Sequence, residues 1–132
     1  MSSLTRRMGP ALEAHYRFIT WLTPALTHIP RAQKFLLGDR IQATSLDVLE
    51  ALIEATYSKE RRQPLRDANL GLEKLRFFCR LAADLKFWDM KRYEYAARQI
   101  DEVGRLVGGW AKADGAAQER DRPGRADVPP AH

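Results

Sequence analysis

The stretch PLRDANLGLEKLRFFCRLAADLKFW, residues 64–88, carries two separate rows of apolar side chains. The first row recurs at alternating steps of three and four residues, which places its members on one side of an α-helix. This seam consists of Leu65, Ala68, Leu72, Leu75, Cys79 and Ala82. Such spacing is typical of a helix in a bundle. It also predicts that Cys79, the only cysteine in the chain, is a small core residue.

The second row lies roughly 120° or more from the seam at about 100° per residue. Its members are Leu70, Phe77, Leu81 and Trp88. A helix that is apolar over most of its circumference needs cover on two sides. We therefore expect the seam to pack inside the subunit and the second row to form an oligomer interface with a neighbouring copy.

Three further amphipathic segments predict three further helices, over residues 9–26, 31–57 and 90–110. Pro24 predicts a kink or an early stop in the first of them, because proline lacks an amide hydrogen. The second should be one long element, since its apolar spacing continues without a break across Ser45. Short connections between four such helices predict an all-α fold, an antiparallel up-down four-helix bundle.

Asp89 is a natural N-cap for the last helix, and Gly108 and Gly109 are expected to end it. The domain should therefore span residues 1–112. Residues 113–132 contain three of the seven prolines and one aliphatic residue larger than alanine, Val128. Such a segment buries too little apolar surface to offset the cost of ordering it, so we predict a disordered tail.

The chain has 132 residues, of which 45% are hydrophobic and 30% charged, as expected of a single domain with a charged surface. No apolar run reaches the roughly 18 to 20 residues that span a membrane, and no secretory signal is recognisable. These features predict a cytoplasmic protein without a membrane partner.

The net charge is +5 and is unevenly distributed. Residues 113–132 hold three arginines against four carboxylates, a net −1, which leaves +6 for the first 112 residues. Excess positive charge on a folded domain favours an acidic partner such as RNA or DNA. Simple solubility is the alternative explanation.

Basic residues on the polar faces of the helices are the candidates for contact with nucleic acid or a protein partner. They are Arg66, Arg76, Arg80, Lys34, Arg40, Arg98 and Arg105. The alternative is that they form ordinary surface ion pairs, because Glu73 and Arg76 are three residues apart and Arg80 and Asp84 are four apart.

Signals for catalysis, a cofactor or a metal are almost absent from the sequence. The three histidines are scattered, the single cysteine lacks an activating neighbour, and no glycine-rich loop opens a helix. We predict a protein that is not an enzyme and has no cofactor or metal site. The aromatic residues, Phe35 among them, mostly fall on apolar stripes, which favours core or interface positions over base stacking.

Four short segments of the chain are distinctive when taken together: LGDRI at 37–41, LEALIEA at 49–55, ANLGLEKLR at 68–76 and GGW at 108–110. They resemble the accessory variability determinant (Avd) family of diversity-generating retroelements. The resemblance covers roughly residues 10–112. It implies a basic, barrel-like homopentamer that associates with the retroelement's reverse transcriptase and RNA to support error-prone cDNA synthesis and mutagenic retrohoming.

Within the resemblance, Arg76 and Arg80 match basic positions assigned to partner or nucleic-acid contact, and Lys34 and Arg40 are a weaker assignment. The four-helix-bundle proteins encoded in intervening sequences of bacterial 23S rRNA genes are a related alternative. Membership there would imply an oligomeric scaffold with protein-only or uncharacterised partners. The chain departs from that family's second-helix signature, since it has LEALIEATY at 49–57.

Overall fold

The structure is a computed structural model that describes residues 2–121, with side chains described from residue 8 onward. Every regular element within these residues is helical, as the sequence predicts. We number the four long helices α1 (Ser2–Ala25), α2 (Asp39–Tyr57), α3 (Arg62–Asp84) and α4 (Met90–Arg120). Helices α1 and α3 each pack against both α2 and α4, and the four enclose one hydrophobic core.

The predicted seam of α3 forms the centre of this core. All six of its residues are buried, including Cys79, whose pKa burial raises to about 12. Gly71 lies beside the seam where α3 approaches α2 closely. A Cβ placed there would come within 2.4 Å of Val48 Cγ2, so the contact between the two helices requires the absence of a side chain.

Helix α1 contains one break and one proline near its end. Gly9 has φ 76° and ψ 168°, a left-handed conformation that interrupts the helical backbone before Pro10. Pro24 is the penultimate residue of α1, and a 3₁₀ turn, Leu26–His28, follows directly. The early stop predicted at Pro24 is thus confirmed.

The predicted second helix is one continuous element, but its type of helical turn changes along its length. It begins with Arg31–Gln33, passes through a π-helical turn, Lys34–Gly38, and continues as α2. Ser45 lies within α2 and its hydroxyl donates to the Gln42 carbonyl oxygen at 2.7 Å, so it does not cap a new helix.

Helix α3 begins and ends earlier than the sequence predicts. It starts at Arg62 and stops at Asp84, because Lys86 adopts a positive φ of 66° and the amides of Phe87 and Trp88 turn back to the Ala82 carbonyl oxygen. Trp88 is only 3% exposed, and its Nε1–H donates to the Ala25 carbonyl oxygen at 3.1 Å. The assignment of Trp88 to the oligomer interface is therefore corrected, since it belongs to the core of the subunit.

Helix α4 starts where predicted, with the Asp89 carboxylate accepting from the Arg92 amide at 2.8 Å. Its predicted end is wrong. The helix continues through Gly108 and Gly109 to Arg120, so residues 113–120 are ordered helix and not disordered tail. The remainder of the predicted tail, residues 122–132, lies outside the described residues.

The added turns of α4 pack against the connection between α2 and α3. Asp114 is buried, and its Oδ1 lies 4.0 Å from Arg61 Nη1. Arg61 Nε also donates to the Ala55 carbonyl oxygen at 2.7 Å, and Gln118 Nε2 donates to the Lys59 carbonyl oxygen at 3.4 Å. These contacts explain why two exposed glycines do not end the helix.

Candidate partner and nucleic-acid surfaces

Three of the seven predicted basic residues are already paired with carboxylates. Arg76 extends from α3 toward α4, where its guanidinium donates to Asp101, and it also lies 3.5 Å from Glu73. The hydrogen bond to Asp101 raises the pKa of Arg76 above its usual value. Arg76 is therefore a link between two helices, and a phosphate would have to compete with Asp101 for it.

Arg80 and Arg105 form pairs within their own helices, at 3.6 Å to Asp84 and 2.6 Å to Glu102. The hydrogen bond from Arg105 lowers the pKa of Glu102, and the same bond raises the pKa of Arg105. Exposed pairs of this kind contribute little to stability, because solvent and salt screen them. The pairs of Glu73 with Arg76 and of Arg80 with Asp84 are those that the alternative explanation predicted from their spacing.

The other four predicted residues, Arg66, Lys34, Arg40 and Arg98, are exposed and make no ion pair within residues 8–121. They lie on α3, on the π-helical turn, on α2 and on α4. One chain thus does not gather the predicted basic residues into a single site. Two of them lie beside a second cation that makes no ion pair within the described residues. Arg66 shares a recess with Arg62, and Lys34 shares one with Arg31.

That recess, which we call the Phe35 recess, is lined by Thr27, Ile29, Arg31, Lys34, Phe35 and Asp39 and has a volume of about 480 Å³. Phe35 is 78% exposed, so a core position is wrong for this residue, and an interface position stays a prediction. Spacing could not reveal this, because the π-helical turn changes the register of the side chains after Gln33.

The second apolar row of α3 remains on the surface of the isolated chain. Leu70, Phe77 and Leu81 are 56%, 65% and 44% exposed, and Leu85 continues the row beyond the helix. We call Leu70, Phe77 and Leu81 the α3 row. Large apolar side chains exposed along one side of a helix are of the kind that marks an interaction site.

Helices α1 and α2, which pack against each other, carry a second set of exposed apolar side chains. These are Tyr16, Leu46 and Ile53, and Leu49 on α2 is half-buried. We call Tyr16, Leu46 and Ile53 the α1–α2 patch. The sequence signal for it was the extra apolar width of the second helix beside its seam. The patch and the α3 row occupy different sides of the bundle.

The described residues contain no group of three or more His, Cys, Asp or Glu side chains placed to hold a metal ion. Among the helices of residues 2–121, none has both the length and the apolar character needed to cross a lipid bilayer. The features that remain as candidate sites are the unpaired cations, the two apolar surfaces and the Phe35 recess.

Comparison with known proteins gives one assignment. A family model described as bAvd-like matches residues 11–113, which is most of the chain. No curated protein matches the chain. The matched range contains all four segments that carry the resemblance in the sequence, together with both apolar surfaces and the seven predicted basic residues.

Proposed function

The chain belongs to the bAvd-like family, and from this premise we propose that it is a non-enzymatic accessory protein of a diversity-generating retroelement. In this role it binds the element's reverse transcriptase and its RNA or cDNA, and it supports mutagenic retrohoming without being the polymerase. Family membership carries this proposal, and the surfaces of the bundle supply its physical basis.

The first support is the α3 row. Full burial of a large apolar side chain contributes about 1.5–3 kcal/mol, and the row leaves roughly half of that unrealised at each of three positions. A neighbouring copy of the antiparallel bundle would recover it. The row and the α1–α2 patch are different surfaces, so a contact between the row of one copy and the patch of the next is head-to-tail. Repeated contacts of this kind close a ring when the rotation from one copy to the next adds up to a full turn. The family resemblance implies five copies.

The second support is the charge. The first 112 residues carry +6, and four of the predicted cations are not neutralised by a carboxylate within the described part of the chain. A ring multiplies this charge around one axis, which strengthens the attraction for phosphates at long range. Binding of this kind releases counterions and falls steeply with salt concentration.

The decisive experiment mixes the purified protein with its cognate reverse transcriptase and retroelement RNA at about 150 mM salt, where screening is already physiological. Size-exclusion chromatography with light scattering should show one complex that contains all three components. If both proteins are folded and no complex forms, the accessory function is wrong. A complex with the enzyme that excludes RNA would instead indicate a protein-only scaffold.

A further inference from the structure

The Phe35 recess combines two features that the bundle does not require for its own stability. An exposed phenylalanine is ordinary when it stands alone on a surface. Here the ring adjoins Arg31 and Lys34, and neither cation has an ion-pair partner within the described residues. Asp39 is the one carboxylate among the lining residues, so the recess as a whole is cationic.

The backbone explains how Phe35 comes to be exposed. In the turn Lys34–Gly38 the amide of Asp39 donates to the Lys34 carbonyl oxygen, a bond one residue longer than in an α-helix. Leu37 and Gly38 face the core, and a Cβ on Gly38 would lie 3.9 Å from Ile29 Cδ1. That distance is an ordinary van der Waals contact, so the inner side of the turn packs against the core while Phe35 and Leu36 are exposed. Such π turns are frequently found at functional sites.

We propose that the Phe35 recess binds a base of single-stranded nucleic acid, with the base stacked on the Phe35 ring and the flanking phosphates held by Arg31 and Lys34. This inference rests on the nucleic-acid binding proposed above and names the form of the ligand. A volume of about 480 Å³ falls within the range of about 300–1,000 Å³ typical of small-ligand sites, so a nucleotide fits.

Two properties of the site favour a single strand over the alternatives. The bases of a duplex are already stacked on one another and cannot place a face on an exposed ring, whereas those of a single strand can. A protein partner would require a broad apolar centre with charges at its rim. In the recess, two cations and one aromatic ring line the same cavity.

The experiment measures fluorescence anisotropy of the full chain with a labelled 20-nucleotide RNA of mixed sequence, as a single strand and as a duplex. Phe35→Ala should weaken single-strand binding by about 5-fold to 150-fold, the range for the loss of one stacked base, and should leave duplex binding within about 2-fold. Phe35→Tyr should retain the affinity, because the ring face is kept.

Leu36→Ala is the matched control, since Leu36 is also 78% exposed and adjoins Phe35 but lacks a ring. It should change single-strand binding by less than about 2-fold if stacking is the mechanism. Lys34→Gln should reduce the slope of log affinity against log salt by about 0.7, the value for one phosphate contact on a single strand. Phe35→Ala should leave that slope unchanged.

Three results would overturn the inference. If the wild-type chain binds RNA and Phe35→Ala binds it equally well, the site is wrong although the proposed function stands. If wild-type protein binds no RNA at low salt, both this inference and the nucleic-acid part of the proposed function are wrong. If Phe35→Ala and Leu36→Ala both lose the reverse transcriptase while RNA affinity is unchanged, the surface binds protein.

Discussion

At the scale of single residues, His15 is the buried group whose protonation state matters most for stability. Its Nε2 lies 2.9 Å from the Ser45 carbonyl oxygen. Since a carbonyl can only accept, Nε2 carries the proton and donates it. Nδ1 is buried and has no hydrogen-bond partner among residues 8–121. Burial lowers the pKa of His15 from 6.5 to about 4, although the bond to Ser45 acts in the opposite direction.

This pKa predicts a specific loss of stability in mild acid. The unfolded chain takes up a proton on His15 near pH 6.5, whereas the folded chain resists it until about pH 4. The contribution of His15 to the free energy of unfolding is thus complete above pH 6.5 and declines as the pH falls toward 4. We expect the free energy of unfolding to be about 2 kcal/mol lower at pH 5 than at pH 7.5 from this group alone.

Urea denaturation at the two pH values, compared with His15→Gln, measures this contribution. Glutamine can donate to the Ser45 carbonyl oxygen without titrating, so the variant should lose less stability between pH 7.5 and pH 5 than wild type does. Equal losses in the two proteins would show that His15 is not the group responsible.

The pairing of the arginines predicts a difference between two double variants that remove the same charge. Arg66→Gln with Arg98→Gln removes two unpaired cations, whereas Arg80→Gln with Arg105→Gln removes two that are bound to Asp84 and Glu102. An unpaired cation is free to contact phosphate. We therefore expect the first variant to lose about 0.7 of salt slope per lost contact on single-stranded RNA, and the second to lose less.

Salt titrations of RNA affinity, followed by anisotropy for both double variants and wild type, provide the comparison. The net charge of the two variants is identical, so a purely long-range attraction would weaken both equally. Equal slopes would mean that the ion pairs seen on the surface do not withhold Arg80 and Arg105 from nucleic acid.

At the scale of helices, the close approach of α2 and α3 makes Gly71 sensitive to substitution. A Cβ there would lie 2.4 Å from Val48 Cγ2, and Val48 is buried. Overpacking of this kind costs about 1–3 kcal/mol, more than the roughly 1 kcal/mol that alanine gains over glycine in a helix. Gly71→Ala should therefore lower the free energy of unfolding.

Gly104→Ala in α4 is the matched control, because among the described residues no atom lies within 4 Å of its Cβ position, apart from its chain neighbours and the nearby backbone of its own helix. It should raise the free energy of unfolding, by up to about 1 kcal/mol. Chemical denaturation of both variants tests the pair. A stabilising Gly71→Ala would show that α2 and α3 are farther apart than described.

The seam of α3 was predictable because burial repeats with the period of the helix, and all six predicted residues are buried. The ends of helices were less predictable. Lys86 adopts a left-handed backbone that a non-glycine residue rarely takes, and this turns Trp88 into the core. In α4, contacts made by Asp114 and Gln118 with a distant connection outweigh the local preference of Gly108 and Gly109 to end a helix.

At the scale of the whole molecule, the candidate sites were predictable to different degrees. Leu70, Phe77 and Leu81 are exposed as their position opposite the seam suggested, because a bundle of four helices covers only one side of each. Ion pairs within one helix were predictable from spacing, as with Arg80 and Asp84, whereas the pair of Arg76 with Asp101 depends on a neighbouring helix. The exposure of Phe35 depends on a π turn, which has no periodic signal.

The placement of the α3 row leads to a prediction about assembly. If the row contacts the α1–α2 patch of a second copy, Phe77→Glu places a charge in that contact and should dissociate the oligomer. Ile53→Glu should do the same from the opposite side of the contact. Met90→Glu is the control, since Met90 is 62% exposed, nearly as much as Phe77, but lies outside both surfaces. All three variants should keep the helicity of wild type.

Light scattering at about 50 μM protein, well above the dissociation constant of a stable assembly, gives the mass of each variant, and circular dichroism gives its helicity. If the row contacts the patch, Phe77→Glu and Ile53→Glu should each form a species of lower mass than wild type. A mixture of the two variants should form at most one intact contact per pair, between the row of Ile53→Glu and the patch of Phe77→Glu. The effect of Ile53→Glu distinguishes a head-to-tail ring from a two-fold dimer through the α3 row alone, because such a dimer would survive that substitution. A wild-type chain that remains a folded monomer at this concentration would contradict the proposal that a ring concentrates positive charge around one axis.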